Sequence, residues 1–213
     1  MCAPVTWGGA PGRHGHVPGP VEPSGITGGP PAPLVGRMDR MLIRRELPAD
    51  AGAVHDVHAR AFAPAYPDAE PVEPKLTDDL RRSEAWIPQL SLVATEVGQI
   101  VGHVCCTRAH LLPGECPVLG LGPIGVEPSL QRAGVGSALM HAVIGAADAL
   151  DEPLIVLLGH PAYYPRFGFV PGRSLGITPP EPSWHEAFMA RTLTTYDSTL
   201  TGEFRYAEPF RGL

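Results

Sequence analysis

Apolar and polar positions alternate or recur along the chain in a way that separates strands from helices. Met41–Glu46 begins the folded pattern as a short strand, and Pro48 and Asp50 supply a turn and a helix start. Val54, Val57, His58 and Ala61 recur at helical spacing through Phe62. Four prolines (Pro64, Pro67, Pro71 and Pro74) make the next stretch a loop, and a second helix is expected over Leu76–Trp86. Leu90–Val97 reads as a strand, Gly98-Gln99 as a tight turn, and Ile100–Leu112 as the hairpin partner. Pro117–Val126 is a further strand. Gly136–Leu150 is a helix with Leu139, Val143, Ala147 and Leu150 on one face. The unbroken apolar run Leu154–Leu158 suits a buried central strand. A short helix over Pro161–Arg166 and strands near Phe169–Val170 and Phe188–Leu193 complete the order. Helices and strands mix along the chain without an internal repeat, which predicts an α/β domain over 41–213.

Residues 1–40 break this pattern. They are about 40% glycine and proline with few large apolar side chains, so they are expected to form a disordered tail. Met38 and Met41 offer alternative starts. No basic start leads into an apolar run, and no stretch approaches the ~20 apolar residues that cross a bilayer, so the expectation is a cytoplasmic protein with no membrane partner.

Charge and cysteine content narrow the chemistry. The net charge is −6 with 16 basic and 22 acidic residues, a balance that disfavours nucleic-acid binding. Cys105 and Cys106 are adjacent on a strand and point to opposite faces, and with no Cys-x-x-Cys pair the four cysteines read as buried thiols. No histidine or cysteine spacing matches a metal motif, so no metal is expected. Asp68, Glu70, Glu73, Asp78 and Asp79, opposed only by Lys75, form either an acidic rim that would draw in a cationic partner or an ordinary solvated loop.

The glycine-rich stretch Leu119–Ser137 carries the informative motif. Gln131-Arg-Ala-Gly134-Val-Gly136 stands where a loop becomes a helix. A helix start presents unpaired N–H groups and a partial positive charge, and glycines there let phosphate oxygens reach the backbone. The amides of Arg132, Ala133, Gly134, Val135, Gly136 and Ser137 are therefore candidates to cradle a pyrophosphate, with the Arg132 guanidinium as a charged contact. A dinucleotide fingerprint would need a third glycine where Leu139 stands, and no Gly-Lys-Ser/Thr triplet completes a Walker loop. Taken alone, a glycine turn that merely caps a helix fits equally well.

The flanking residues change that balance. Val126-Glu-Pro128 followed by Gln131-x-x-Gly134-x-Gly136, and Tyr164-Pro-Arg-Phe-Gly-Phe169 about thirty residues later, resemble the GNAT (Gcn5-related) superfamily of N-acetyltransferases. Leu121–Val126 and Gly159–Phe169 resemble its YhbS-like branch. The resemblance covers roughly 41–213 and is strongest from 119 to 170.

It implies the GNAT acyl-CoA N-acyltransferase fold. That fold has a mostly antiparallel sheet flanked by helices, with the strand Gly120–Val126 splayed from Leu154–Leu158. It implies acetyl-CoA as co-substrate, its pantetheine arm paired with main chain at Ile124 and Val126, and Gln131–Ser137 at the pyrophosphate. Tyr164 takes the position of the family's general acid, with Tyr163 as the alternative. Acetyl transfer to a primary amine of a small molecule or peptide follows by direct attack in a ternary complex. An aminoacyl-tRNA is the one nucleic-acid partner left open, as is a homodimer. The family's glutamate base on this strand is missing; Glu127, His103, His110 and a water relay are the candidates. The missing acid also leaves open a noncatalytic acyl-CoA-binding or regulatory module.

Overall fold

In the computed structural model, residues 41–211 are described; the tail expected over 1–40 lies outside them. Seven strands run in the order β1-β2-β3-β4-β5-β8-β6, with β1 at Met41–Arg45, β2 at Trp86–Glu96, β3 at Gln99–Leu112 and β4 at Cys116–Val126. β5 is Leu154–Leu158, β6 Val170–Pro171, β7 Ile177–Thr178 and β8 Phe188–Thr192; β9, Gly202–Arg205, joins the far end of β3 and β7. Three α-helices, α1 (Ala51–Phe62), α2 (Glu73–Arg82) and α3 (Val135–Asp148), cover the two faces. β1 through β4 pair antiparallel because short turns connect β2 to β4. β4 and β5 pair parallel because α3 crosses between them. None of the described helices is long and apolar enough to cross a membrane.

Alternation along the strands builds two apolar layers. Leu139, Met140, Val143 and Ala147 of α3 meet Leu92, Val104 and Cys106 on one face. Leu76 and Leu80 of α2 join Cys105, Ala109, Leu111 and Val118 with Phe188, Phe204 and Phe210 on the other. The adjacent cysteines thus enter opposite cores, as their strand position requires. The run Leu154–Leu158 forms β5 and pairs along its whole length with β8.

The structure corrects several expected boundaries. The second helix starts earlier, at Glu73, and stops at Arg82. Pro74 fits its first turn, where no N–H acceptor is lost, and Ser83 turns extended while its Oγ donates to the Leu80 carbonyl at 2.8 Å. Trp86 therefore opens β2 and packs under the Arg81 guanidinium, 5.5 Å away. The β2–β3 turn centres on Val97 and Gly98, both at positive φ (49° and 79°), one residue earlier than expected. Leu150 leaves the buried face because α3 ends at Asp148; it is 42% exposed. The short helix near the second tyrosine is a 3₁₀ turn over Tyr164–Phe167, closed by Gly168 at φ 81°. β7 and β9 have too few residues to leave a period in the sequence.

Candidate active site

A register shift in β4 creates the site. Val104 pairs with Ile124, but Cys106 pairs with Leu121, so Gly122 and Pro123 together face Cys105. The Cys105 thiol donates to the Gly122 carbonyl at 3.2 Å and fixes this bulge. β4 and β5 pair only at Leu119–Ile155 and Gly120–Val156; beyond them no ladder joins the two strands. A cavity of about 540 Å³ opens along this stretch.

The ladder on the other side determines which backbone groups face the gap. Gly125 faces His103, and the Glu127 N–H donates to the Val101 carbonyl at 2.9 Å. Alternation along an antiparallel pair then turns the N–H and C=O of Ile124 and Val126 away from β3. The Val126 carbonyl meets Gln131 Nε2 at 3.2 Å.

At the mouth of the gap stands the start of α3. Gly134 is its N-cap with φ +94°, a left-handed conformation in which a Cβ is costly, and Arg132 precedes it at φ +63°. The Val135, Gly136 and Ser137 amides occupy the first turn and have no acceptor inside the helix. A Cβ on Gly136 would lie 3.2 Å from the Tyr163 hydroxyl, so the missing side chain preserves space between helix and tyrosine.

Of the residues singled out in the sequence, Ile124, Val126, Gln131, Arg132, Gly134, Gly136, Ser137 and Tyr164 line one cavity. Ala133 and Val135 are not among its lining residues. The Ala133 amide is turned back to the Leu130 carbonyl at 3.3 Å, and the Val135 side chain is buried in the α3 core. Tyr164 is 9% exposed and meets Tyr163 and Phe169 edge-to-face, at 5.0 and 5.9 Å between ring centres. It lies so close to Gly159, at the end of β5, that any Cβ there would overlap its ring. Tyr163 also lines the cavity, under the Arg166 guanidinium at 4.8 Å.

The candidates for a base fare differently. Glu127 is held by Arg60 of α1 at 2.6 Å, so its carboxylate is committed to an ion pair. His110 sits at the far end of β3, opposite Pro117 and Arg205. His103 is fully buried on β3 opposite Gly125, hydrogen-bonded to His58 of α1. His58 was legible only as an apolar-face position, because nothing in its spacing signals a partner 45 residues away.

The acidic rim is mostly neutralised. Asp78 pairs with His55 and Arg81, and Asp79 with Lys75 and Arg82. Glu73 is buried and accepts from the Tyr66 hydroxyl at 3.2 Å. Burial raises the Glu73 carboxyl above its usual range; burial and then the Glu73 charge push Tyr66 up to about 12. Asp68 and Glu70 remain exposed.

A mixed sheet whose central parallel pair, β4 and β5, separates beside a glycine-rich helix start defines the acyl-CoA N-acyltransferase fold. Known proteins agree. The acetyltransferase (GNAT) domain family matches residues 88–171. The uncharacterised N-acetyltransferase YjhQ of Escherichia coli K12 is 36% identical over 168 residues, covering 76% of this chain and 89% of that protein. YhbS of the same strain, also an uncharacterised N-acetyltransferase, is 30% identical over 174 residues, covering 80% and 98%. The crystal structure of E. coli YhbS in complex with CoA superposes with a TM-score of 0.71 at 28% identity, covering 80% of this chain and 92% of that one. A Brucella melitensis GNAT acetyltransferase in complex with acetyl-CoA gives 0.65 at 30%, covering 80% and 97%. The chain belongs to the GNAT family of N-acetyltransferases.

Proposed function

We propose that this enzyme binds acetyl-CoA in the β4–β5 gap and transfers its acetyl group to a primary amine of a small molecule or peptide, by direct attack in a ternary complex. The observation that carries the reading is the continuity of one cavity from the unpaired amides of α3 to the turned-out backbone of Ile124 and Val126 and on to Tyr164. The site fits the co-substrate on its own geometry. Gly134 and Gly136 keep the helix start bare, where an anion is favoured by about 0.3–1 kcal/mol when exposed and up to about 2 when partly buried. Arg132 lines the same mouth and supplies a guanidinium for phosphate.

Acetyl-CoA supplies the thioester. Ile124 and Val126 present main-chain groups to its pantetheine arm like an added strand. The Ile124 amide lies directly after the bulge, and Pro123 has no N–H, so Ile124 is the first donor past the bulge that can meet charge on the thioester oxygen. Holding the amine against the thioester contributes much of the acceleration. Tyr164 gives its proton to the departing thiolate. With Asp78 and Asp79 in ion pairs and Glu73 buried, only Asp68 and Glu70 of the acidic rim stay exposed to attract a cationic acceptor.

A thermal-shift experiment tests this reading. Saturating acetyl-CoA raises the melting temperature because it binds only the native state; at a hundred times Kd the gain is about 2.7 kcal/mol. NADH leaves the melting temperature unchanged. No response to acetyl-CoA would overturn the assignment of the gap.

A further inference from the structure

A line of buried polar side chains runs across the sheet, from His58 of α1 beside β4 through His103 of β3 and Ser91 of β2 to Glu46 just after β1. His58 Nε2 lies 2.8 Å from His103 Nδ1, with the rings nearly perpendicular. His103 Nε2 lies 3.2 Å from Glu46 Oε2 and 3.0 Å from Ser91 Oγ, and Ser91 also donates to Glu46. Both histidines are fully buried, and the Glu46 side chain is 5% exposed. The far end of the line, His58 Nδ1, is buried without a hydrogen-bond partner among the described residues. It points at Gly125: a Cβ there would lie 2.7 Å from it. Gly125, Ala61 and Phe62 all line the acetyl-transfer cavity, so His58 Nδ1 sits directly behind its wall, beside a wall residue with no side chain to block it.

Proton positions along the line follow from one ionised group. A carboxylate only accepts, so His103 carries its proton on Nε2 and keeps a lone pair on Nδ1. His58 must then donate from Nε2, which leaves its Nδ1 as a bare lone pair turned toward the cavity wall.

We propose that His58, His103 and Glu46 form a proton relay, and that His58 Nδ1 takes the proton of the acceptor amine through one water molecule passing Gly125. This deepens the acetyl-transfer reading and rests on it. As the amine nitrogen bonds to the acetyl carbon, the carbon–sulfur bond breaks and the thiolate leaves with the electron pair. The ammonium proton passes by the water to His58 Nδ1. The His58 Nε2 proton moves to His103 Nδ1, and the resulting His103 imidazolium is held against the Glu46 carboxylate. The geometry explains why β4 needs no acid of its own.

The surrounding charges keep the line ready. Burial, then His103, Arg81 and His55, hold His58 well below the usual histidine value, so it is neutral at pH 7. Burial also lowers His103, against the hydrogen bond and charge of Glu46, which raise it. Burial raises Glu46, but the hydrogen bonds of His103 and Ser91 and the Arg81 charge outweigh it and keep it ionised. The groups facing the pair are His55 on α1, Arg81 and its partner Asp78 on α2, Ser91 on β2, Cys105 on β3 and Glu46 after β1. Because the folded value of His58 is depressed, its basic form persists until the pH is well below the usual histidine value.

Nitrogen-15 NMR of the histidine rings in the wild-type protein at pH 7 tests the relay without any acceptor. The expected result is that both rings are neutral with the proton on Nε2. A proton on His58 Nδ1 would overturn the proposal. The kinetic arm uses the fastest amine of a panel of primary amines. His58→Gln retains a donor toward His103 but no base. Its kcat is expected to fall by roughly 10²- to 10⁴-fold with the KM for acetyl-CoA unchanged, and the acidic limb of kcat, which lies well below the usual histidine value, disappears. His110→Gln leaves both as in the wild type. A His58→Gln enzyme with the wild-type pH profile would also overturn the relay. Absence of turnover by the wild type on every amine would instead count against the acetyl-transfer reading, while the NMR result still decides the relay's proton order.

Discussion

Gly136→Glu is expected to abolish acetyl-CoA binding while the fold survives. Gly136 stands in the first turn of α3, in the row of amides that have no acceptor inside the helix. A Cβ there already meets the Tyr163 hydroxyl at 3.2 Å, so the new side chain must turn into the mouth of the cavity. It brings a carboxylate to the place where the phosphates would lie, and helix-start N–H groups then serve that carboxylate instead. Hydrogen bonds to charged groups contribute about 1.5–3 kcal/mol each, so losing two weakens binding by roughly 10²- to 10⁴-fold before repulsion is counted. The helix itself tolerates the change, because an acidic side chain in the first turn is favourable. Gly134→Glu is a less clean version: its φ of +94° adds about 1–2 kcal/mol of backbone strain to the same electrostatic effect. Calorimetry with acetyl-CoA, beside a thermal melt of the free protein, separates lost binding from lost folding. Unchanged affinity in Gly136→Glu would move the phosphate site elsewhere.

Tyr164→Phe is expected to lower turnover by roughly 10- to 10⁴-fold with acetyl-CoA affinity retained. The ring is 9% exposed and wedged against Gly159, Tyr163 and Phe169, so phenylalanine fills the same space. The lower end of the range applies if water replaces the hydroxyl, since a thiolate leaves readily. A purely structural hydroxyl would give a different pattern: about 1 kcal/mol of lost stability with turnover nearly unchanged. Turnover and melting temperature are therefore measured on the same protein, with Tyr163→Phe as control. Equal losses in both variants would sink the assignment to Tyr164, and a loss confined to Tyr163→Phe would transfer the role to its neighbour.

The residues at the mouth of the cavity were legible because their chemistry is local. Gln131 to Gly136 announces a helix start bare of side chains, and the strand before it and the Tyr164–Phe169 stretch after it carry the family resemblance. The apolar run of β5 and the opposite faces of Cys105 and Cys106 follow from short-range periodicity alone. What failed to show was long-range pairing. The helix expected to continue to Trp86 stops at Arg82, because β2 recruits Trp86 opposite Thr107 of β3. The acids from Glu73 to Asp79 read as an open rim because their partners, such as His55 and Arg81, are neighbours only after α1 packs on α2. The line from His58 to Glu46 joins residues far apart in sequence, so each member alone reads as an ordinary core or surface residue.

The central claim is that acetyl-CoA lies along β4 with its pyrophosphate on the start of α3. A crystal structure of the protein with acetyl-CoA tests it most directly. The account predicts pyrophosphate oxygens within hydrogen-bonding distance of the Gly134–Ser137 amides, the pantetheine arm against the backbone of Ile124 and Val126, and the sulfur beside the Tyr164 hydroxyl. Coenzyme phosphates bound at any other surface, with the gap between β4 and β5 left to solvent, would contradict it.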